Sequence, residues 1–209
     1  MERRFTDRSR APLEIRTRAD GVKAIVGYGA VFYSAADAGT EYEMWTDTYE
    51  RVMPGAFDRA LREDDVRSLF NHDPNFILGR VKAGTLALSV DAVGLRYEVV
   101  PPDSQAIRDH VLAPIGRGDI SGSSFMFVPR DAQWTDSMRG DRKVSIREIK
   151  EVELWEVGPV VFPAYESTTT GLRSEDLAEA RASHAAWLES LRMADEVAVR
   201  RRVVALHAR

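Results

Sequence analysis

Between Leu13 and about Tyr165 the chain is a succession of short segments rich in β-branched and aromatic residues, broken every few positions by Gly or Pro. Segments of that length and composition read as strands. The few helical stretches among them cannot supply the crossovers of a parallel α/β sheet, so that class is disfavoured. A small closed or nearly closed barrel with flanking helices fits the pattern, because closure removes exposed strand edges. From Thr168 the composition turns to Ala, Glu, Leu and Arg, with no Gly after Gly171 and no Pro, which suits a helix. The Ser167-Thr168-Thr169-Thr170-Gly171 run between the two regions reads as a linker. Met1–Pro12 is Arg-rich and aperiodic. The expected organisation is a flexible basic leader over 1–12, a β-barrel domain over 13–167 and a C-terminal helical segment over 168–209.

Individual elements follow from local pattern. Leu13-Glu14-Ile15-Arg16 alternates apolar and charged, as a half-buried strand does, and Ala24–Tyr33 is a longer apolar strand with Gly27 and Gly29 at close approaches. Tyr49–Met53 runs into a Pro54-Gly55 turn and a short helix over Ala56–Arg62. Val66–Phe70 and Ile77–Val81 are strands either side of an Asn71-His72-Asp73-Pro74 loop, and Thr85–Val90 with Leu95–Val100 forms a hairpin. Ser104–Ala113 has helical spacing and is stopped by Pro114. Ile120–Val128 and Val144–Phe162 supply the last strands, joined by a polar loop. The total is about seven or eight strands.

Composition narrows the function. The 209 residues carry 29 Lys+Arg against 33 Asp+Glu, a net charge of −4, which does not suit a nucleic-acid binder. With no cysteine there is no disulfide, thiolate nucleophile, zinc finger or iron–sulfur site. No apolar run approaches the ~20 residues that cross a bilayer, and Met1–Arg10 lacks the apolar stretch of a signal peptide. A soluble protein of a reducing cytosol is expected, with no membrane or nucleic-acid partner and no cofactor.

Four histidines leave a short choice of general base. His184 falls in the helical series Leu177, Ala180, His184, Leu188, Leu191 and His207 lies beyond it, while His110 sits beside Asp109 in a predicted helix. His72 instead follows a strand inside a polar turn, where a rigid scaffold presents reactive groups; an ordinary turn histidine fits the same residues. In Gly118-Asp119-Ile120-Ser121-Gly122-Ser123-Ser124-Phe125-Met126-Phe127, alternation puts Ser123, Phe125 and Phe127 on one face and Gly122, Ser124 and Met126 on the other. If the rings enter a core, Ser124 faces away beside a glycine, as suits a nucleophile, although ordinary strand serines give the same pattern. Among the four glutamates of Arg147–Pro159, Glu156 lies next to the apolar run Val157–Phe162, where a carboxylate needs a donor such as a histidine N–H.

Taken in order, Met53-Pro54-Gly55-Ala56-Phe57, Asn71-His72-Asp73, Leu78-Gly79-Arg80, Gly84-Thr85-Leu86, Arg117–Phe125, Trp134, Leu154-Trp155-Glu156-Val157 and Phe162-Pro163-Ala164 resemble the tailed-phage prohead proteases over roughly Gly27 to Thr168. The resemblance implies a serine endopeptidase that matures phage procapsids, related in fold to the herpesvirus capsid protease (assemblin), a seven-stranded barrel wrapped by helices. It implies His72 as base, Ser124 as nucleophile and Glu156 as the third member, with Glu151 and Glu153 as alternatives. Herpesvirus relatives use a second histidine downstream of the serine, and here none lies between Ser124 and His184. Three departures stand out: Ser123 where the family often has Met, Gly158 where it usually has Ser, and a longer loop over Asp136–Lys143.

The implied substrates are the major capsid protein, through its scaffolding segment or a separate scaffold protein, and the protease itself. The implied place is the host bacterial cytoplasm, inside the assembling procapsid of a phage or prophage. Two other readings use the same residues: a catalytically silent scaffolding protein on the same barrel, and a metal hydrolase built on His72-Asp73. The C-terminal stripe, whose spacing also suits pairing with another helix, is expected either to close the barrel core or to serve as an assembly handle, including for a second copy of the chain.

Overall fold

Residues 2–6, 12–162 and 174–207 are described by a computed structural model. In chain order the first strands are β1 (Glu2–Thr6), β2 (Glu14–Thr17), β3 (Lys23–Val31), β4 (Tyr42–Trp45), β5 (Thr48–Val52), β6 (Arg67–Phe70) and β7 (Asp73–Arg80). They are followed by β8 (Leu86–Val90), β9 (Gly94–Val99) and the long pair β10 (Gly122–Arg139) and β11 (Arg142–Val160). Helices are α1 (Ala60–Glu63), α2 (Gln105–Ile107), α3 (Ala113–Arg117) and α4 (Ser174–His207), with a π-helical turn over Arg108–Leu112 joining α2 to α3. The chain divides into two units, Met1–Arg173 and Ser174–Arg209.

The first unit is mainly β and is built from two sheets. One is antiparallel, in the order β2-β3-β9-β8. The other runs β1-β10-β11-β5-β4, with β6 branching from β11 and carrying β7. Here β11 pairs parallel to β5 and β6 and antiparallel to β10. Neither strand order returns to its starting strand among the described residues, so the closed ring expected from strand count is not seen. Exposed edges are managed instead by short outer strands, four residues in both β2 and β4, and by bulges at Met126/Phe127 and Pro129/Asp131 that break the long β10–β11 ladder.

The core lies between the sheets. Ile25, Tyr97 and Val99 of the smaller sheet pack with Phe57, Phe125, Phe127 and Val157 in one buried cluster. Phe32, Phe57, Phe125 and Phe127 form a continuous aromatic series with ring centroids 6.0, 5.8 and 4.9 Å apart. Gly29 is required by this packing, since a Cβ there would lie 2.4 Å from Val157 Cγ2.

Several local expectations change. The helix does not stop at Pro114: the wider π-helical turn precedes it, Pro occupies the first turn of α3 where its missing N–H costs nothing, and Gly118 ends the helix at φ 84°. β7 begins at Asp73, which shortens the expected four-residue loop to the pair Asn71-His72. The Asp136–Lys143 segment is the end of a hairpin, paired up to Arg139↔Arg142, rather than an enlarged loop. β4 was not anticipated, and the expected leader supplies β1, while 7–11 lie outside the described residues.

β1 joins the edge of β10 with Glu2 and Arg4 turned inward. They meet Glu50 of β5 and Arg147 of β11 in a fully buried box of two cations and two anions. Arg4 Nη2 donates to Glu2 at 2.6 Å and to Glu50 at 2.9 Å, and Arg147 Nη1 donates to Glu2 at 2.7 Å and to Glu50 at 3.0 Å. Burial disfavours the charged form of Glu2, but Arg4 and Arg147 outweigh it and hold the carboxyl below its ordinary value. The mutual pairing is what permits four charges in a core, since a buried charge without a partner is costly.

In the second unit, α4 runs from Ser174 to His207. Leu188 and Leu191 of the predicted stripe are exposed, and His184 stacks on Trp187 with ring centroids 5.6 Å apart. No helix among the described residues is long and apolar enough to cross a membrane.

Candidate active site

The turn between β6 and β7 places His72. Phe70 pairs with Asp73, leaving Asn71 and His72 as the central residues, and both have positive φ, 54° and 60°. A two-residue hairpin with this geometry matches the twist of its strands but usually contains glycine; Asn tolerates the left-handed region and His does so less readily. The turn is held by Asn71, whose N–H donates to Pro159 O at 3.1 Å while its Oδ1 accepts from Val161 N–H at 2.8 Å. It is thereby clamped to the end of β11.

From that position His72 Nδ1 bonds Glu156 Oε2. When Glu156 is ionised its carboxylate can only accept, so Nδ1 then carries the proton and the basic lone pair falls on Nε2. Glu156 is buried; burial pushes its pKa up, partly offset by the His72 hydrogen bond and by a backbone hydrogen bond from Leu69. The two alternative glutamates are engaged elsewhere. Glu151 pairs with Arg59 at 3.2 Å and Glu153 with Arg130. Asp73, the second half of the metal reading, accepts from the Asn75 N–H at 2.8 Å.

Ser124 sits on β10 directly opposite Gly158 of β11, and Met126 opposite Glu156. Cross-strand partners share a face, so Ser124, Met126, Glu156 and Gly158 all lie on one side of the sheet. A Cβ on Gly158 would meet Leu69 O at 2.0 Å, so β6 crosses closely over that same face. The hairpin bearing His72 therefore lies on the side of the sheet that carries Ser124. The departure at position 158 has a physical reason, since a serine there would collide with the Leu69 backbone.

Ser124 is fully buried, and its Oγ has no hydrogen-bond partner among the described residues. The neighbouring Ser123 points the other way. Its Oγ lies 2.9 Å from Tyr97 Oη inside the core, where burial raises the tyrosine pKa. The two adjacent serines thus occupy opposite sides of the sheet, as the alternation predicted. His110 is exposed on the π-helical turn and does not belong to this group, and His184 lies on α4 of the second unit. What the sequence missed is the clamping role of Asn71, whose only signal was its place beside His72 in a turn.

Comparison with known protein families gives first a class: the chain is a serine peptidase. More narrowly, it belongs to the caudovirus prohead serine proteases, whose family model matches residues 11–183. No curated protein and no solved structure matches the chain. Membership supports a role as a phage procapsid protease, acting inside the procapsid on capsid or scaffold proteins.

Proposed function

We propose that the chain hydrolyses peptide bonds through a Ser124–His72–Glu156 triad, and that its targets are the scaffold or scaffolding segment of the major capsid protein and the protease itself. The observation that carries this reading is the bond from His72 Nδ1 to the buried Glu156 carboxylate on the sheet face that bears Ser124. Ser124 Oγ attacks the scissile carbonyl, His72 Nε2 takes its proton and returns it to the leaving amine, and water then resolves the acyl-enzyme by the same route. Glu156 fixes the tautomer and stabilises the imidazolium that forms. Backbone N–H donors for the oxyanion would each contribute ~3–4 kcal/mol of transition-state stabilisation. The site of action is the procapsid assembling in the host bacterial cytoplasm, and the two-sheet unit is an opened variant of the assemblin-like barrel. α4 acts as an assembly handle toward scaffold helices or a second copy.

Co-expression with the capsid protein tests the reading. The wild type yields a capsid protein with a new N-terminus and Ser124→Ala leaves it intact. A Ser124→Ala chain that still cleaves would remove the triad, and a wild type that assembles shells without cleaving anything would favour the silent scaffold.

A further inference from the structure

A nucleophile has to meet its substrate, yet Ser124 is completely buried and makes no hydrogen bond among the described residues. The element beside it on the open side of β10 is β1, paired antiparallel in the register Arg3↔Met126, Arg4↔Phe125 and Phe5↔Ser124. β10 would be the edge of its sheet without β1. An edge strand carrying the nucleophile is where an extended peptide docks by strand addition. Arg3, on the row that continues through Met126 to Glu156, is close enough to act electrostatically on the Glu156 carboxylate. β1 lies outside residues 11–183 that match the family model.

We infer that β1 is an internal occupant of the substrate groove: residues 2–6 lie where an extended peptide substrate must lie and keep Ser124 blocked until the strand is displaced. The inference rests on Ser124 being the nucleophile. The buried box gives the strand both its hold and its means of release. β1 contributes one cation and one anion, Arg4 and Glu2, and the groove contributes Arg147 and Glu50, which bond each other at 3.0 Å. When β1 leaves, its two charges return to water together and the remaining pair still neutralises itself, so no uncompensated charge is left buried.

The test uses the lack of native cysteine. Directly opposed residues of an antiparallel pair have Cα atoms roughly 4.5–5.5 Å apart, within the range that a disulfide spans. Arg3→Cys with Met126→Cys therefore staples β1 to β10 when oxidised and frees it when reduced. The probe is a fluorophosphonate, whose phosphorus is attacked by Ser124 Oγ with loss of fluoride and transfer of the serine proton to His72; labelling is followed by intact mass.

The reduced protein is expected to label at least about tenfold faster than the oxidised one. Glu2→Ala with Arg4→Ala, which withdraws one charge of each sign, is expected to label faster than the wild type. Equal rates in the oxidised and reduced forms, with labelling still lost in Ser124→Ala, would overturn the inference and leave the nucleophile standing. Absence of labelling at Ser124 in every form, including the Glu2→Ala/Arg4→Ala chain, would overturn the nucleophile and the inference together.

Discussion

The His72 imidazole holds the Glu156 carboxylate from a turn whose two central residues both have positive φ. The catalytic reading depends on that turn, because a change in its backbone re-aims the ring even when His72 and Glu156 themselves are unchanged.

Glu156→Gln is expected to reduce kcat by ~10²–10⁴, as for other orienting acids. Its effect on stability has the opposite sense. The folded pKa of Glu156 is raised by burial, so the stability it contributes is fully present below the ordinary glutamate value of ~4.3 and is lost as pH rises through the raised value. Glutamine does not titrate. Thermal unfolding should therefore show the variant gaining on the wild type as pH rises above the ordinary glutamate value of ~4.3; a variant that falls further behind as pH rises would contradict the burial argument.

Asn71→Ala removes the acceptor of the Val161 N–H and puts a less tolerant residue in the left-handed region. A stability loss of about 1–3 kcal/mol is expected, with kcat lowered because His72 is no longer clamped. Asn71→Gly should recover more of the stability than of the activity. Equal recovery of both would mean that the hydrogen bond to β11 does not position the ring.

Much of this site was legible in the sequence because it depends on residue type and order. Ser124 and Ser123 were assigned to opposite faces by period-two alternation, and Glu156 was singled out by the apolar run beside it. The turn geometry was not, since Asn-His lacks the glycine that signals positive φ and the clamp joins positions 90 residues apart. β1 was missed for a different reason. A Glu-Arg-Arg-Phe-Thr segment reads as solvated, and only the meeting with Glu50 and Arg147 makes its burial tolerable. The bulges of β10 likewise hide the strand that continues through Arg130–Arg139, because each bulge resets the alternation.

Gly158→Ser places a Cβ 2.0 Å from Leu69 O, so β6 must move away from β11. Loss of activity is expected to exceed loss of secondary structure, read by peptide hydrolysis beside circular dichroism. A fully active Gly158→Ser would show that the close crossing of the strands is unnecessary for placing His72.

The buried ionic box predicts both a mutational and a pH effect. Arg147→Met leaves Glu2 and Glu50 short of a cation and should cost about 3–5 kcal/mol in chemical denaturation. Because the folded pKa of Glu2 is depressed, the stability it contributes is present above ~4.3 and is lost as pH falls through the lower folded value. Stability that is flat through the acid range would contradict the pairing.

The central claim is that Ser124, and not its neighbour, performs the cleavage. The most direct measurement is mass spectrometry of capsid-protein N-termini after co-expression with wild type, Ser123→Ala and Ser124→Ala. The account predicts the same new N-terminus with wild type and Ser123→Ala, reduced at most by the lost Tyr97 hydrogen bond, and none with Ser124→Ala. Cleavage that persists in Ser124→Ala, or that disappears in Ser123→Ala while the protein stays folded, would contradict it.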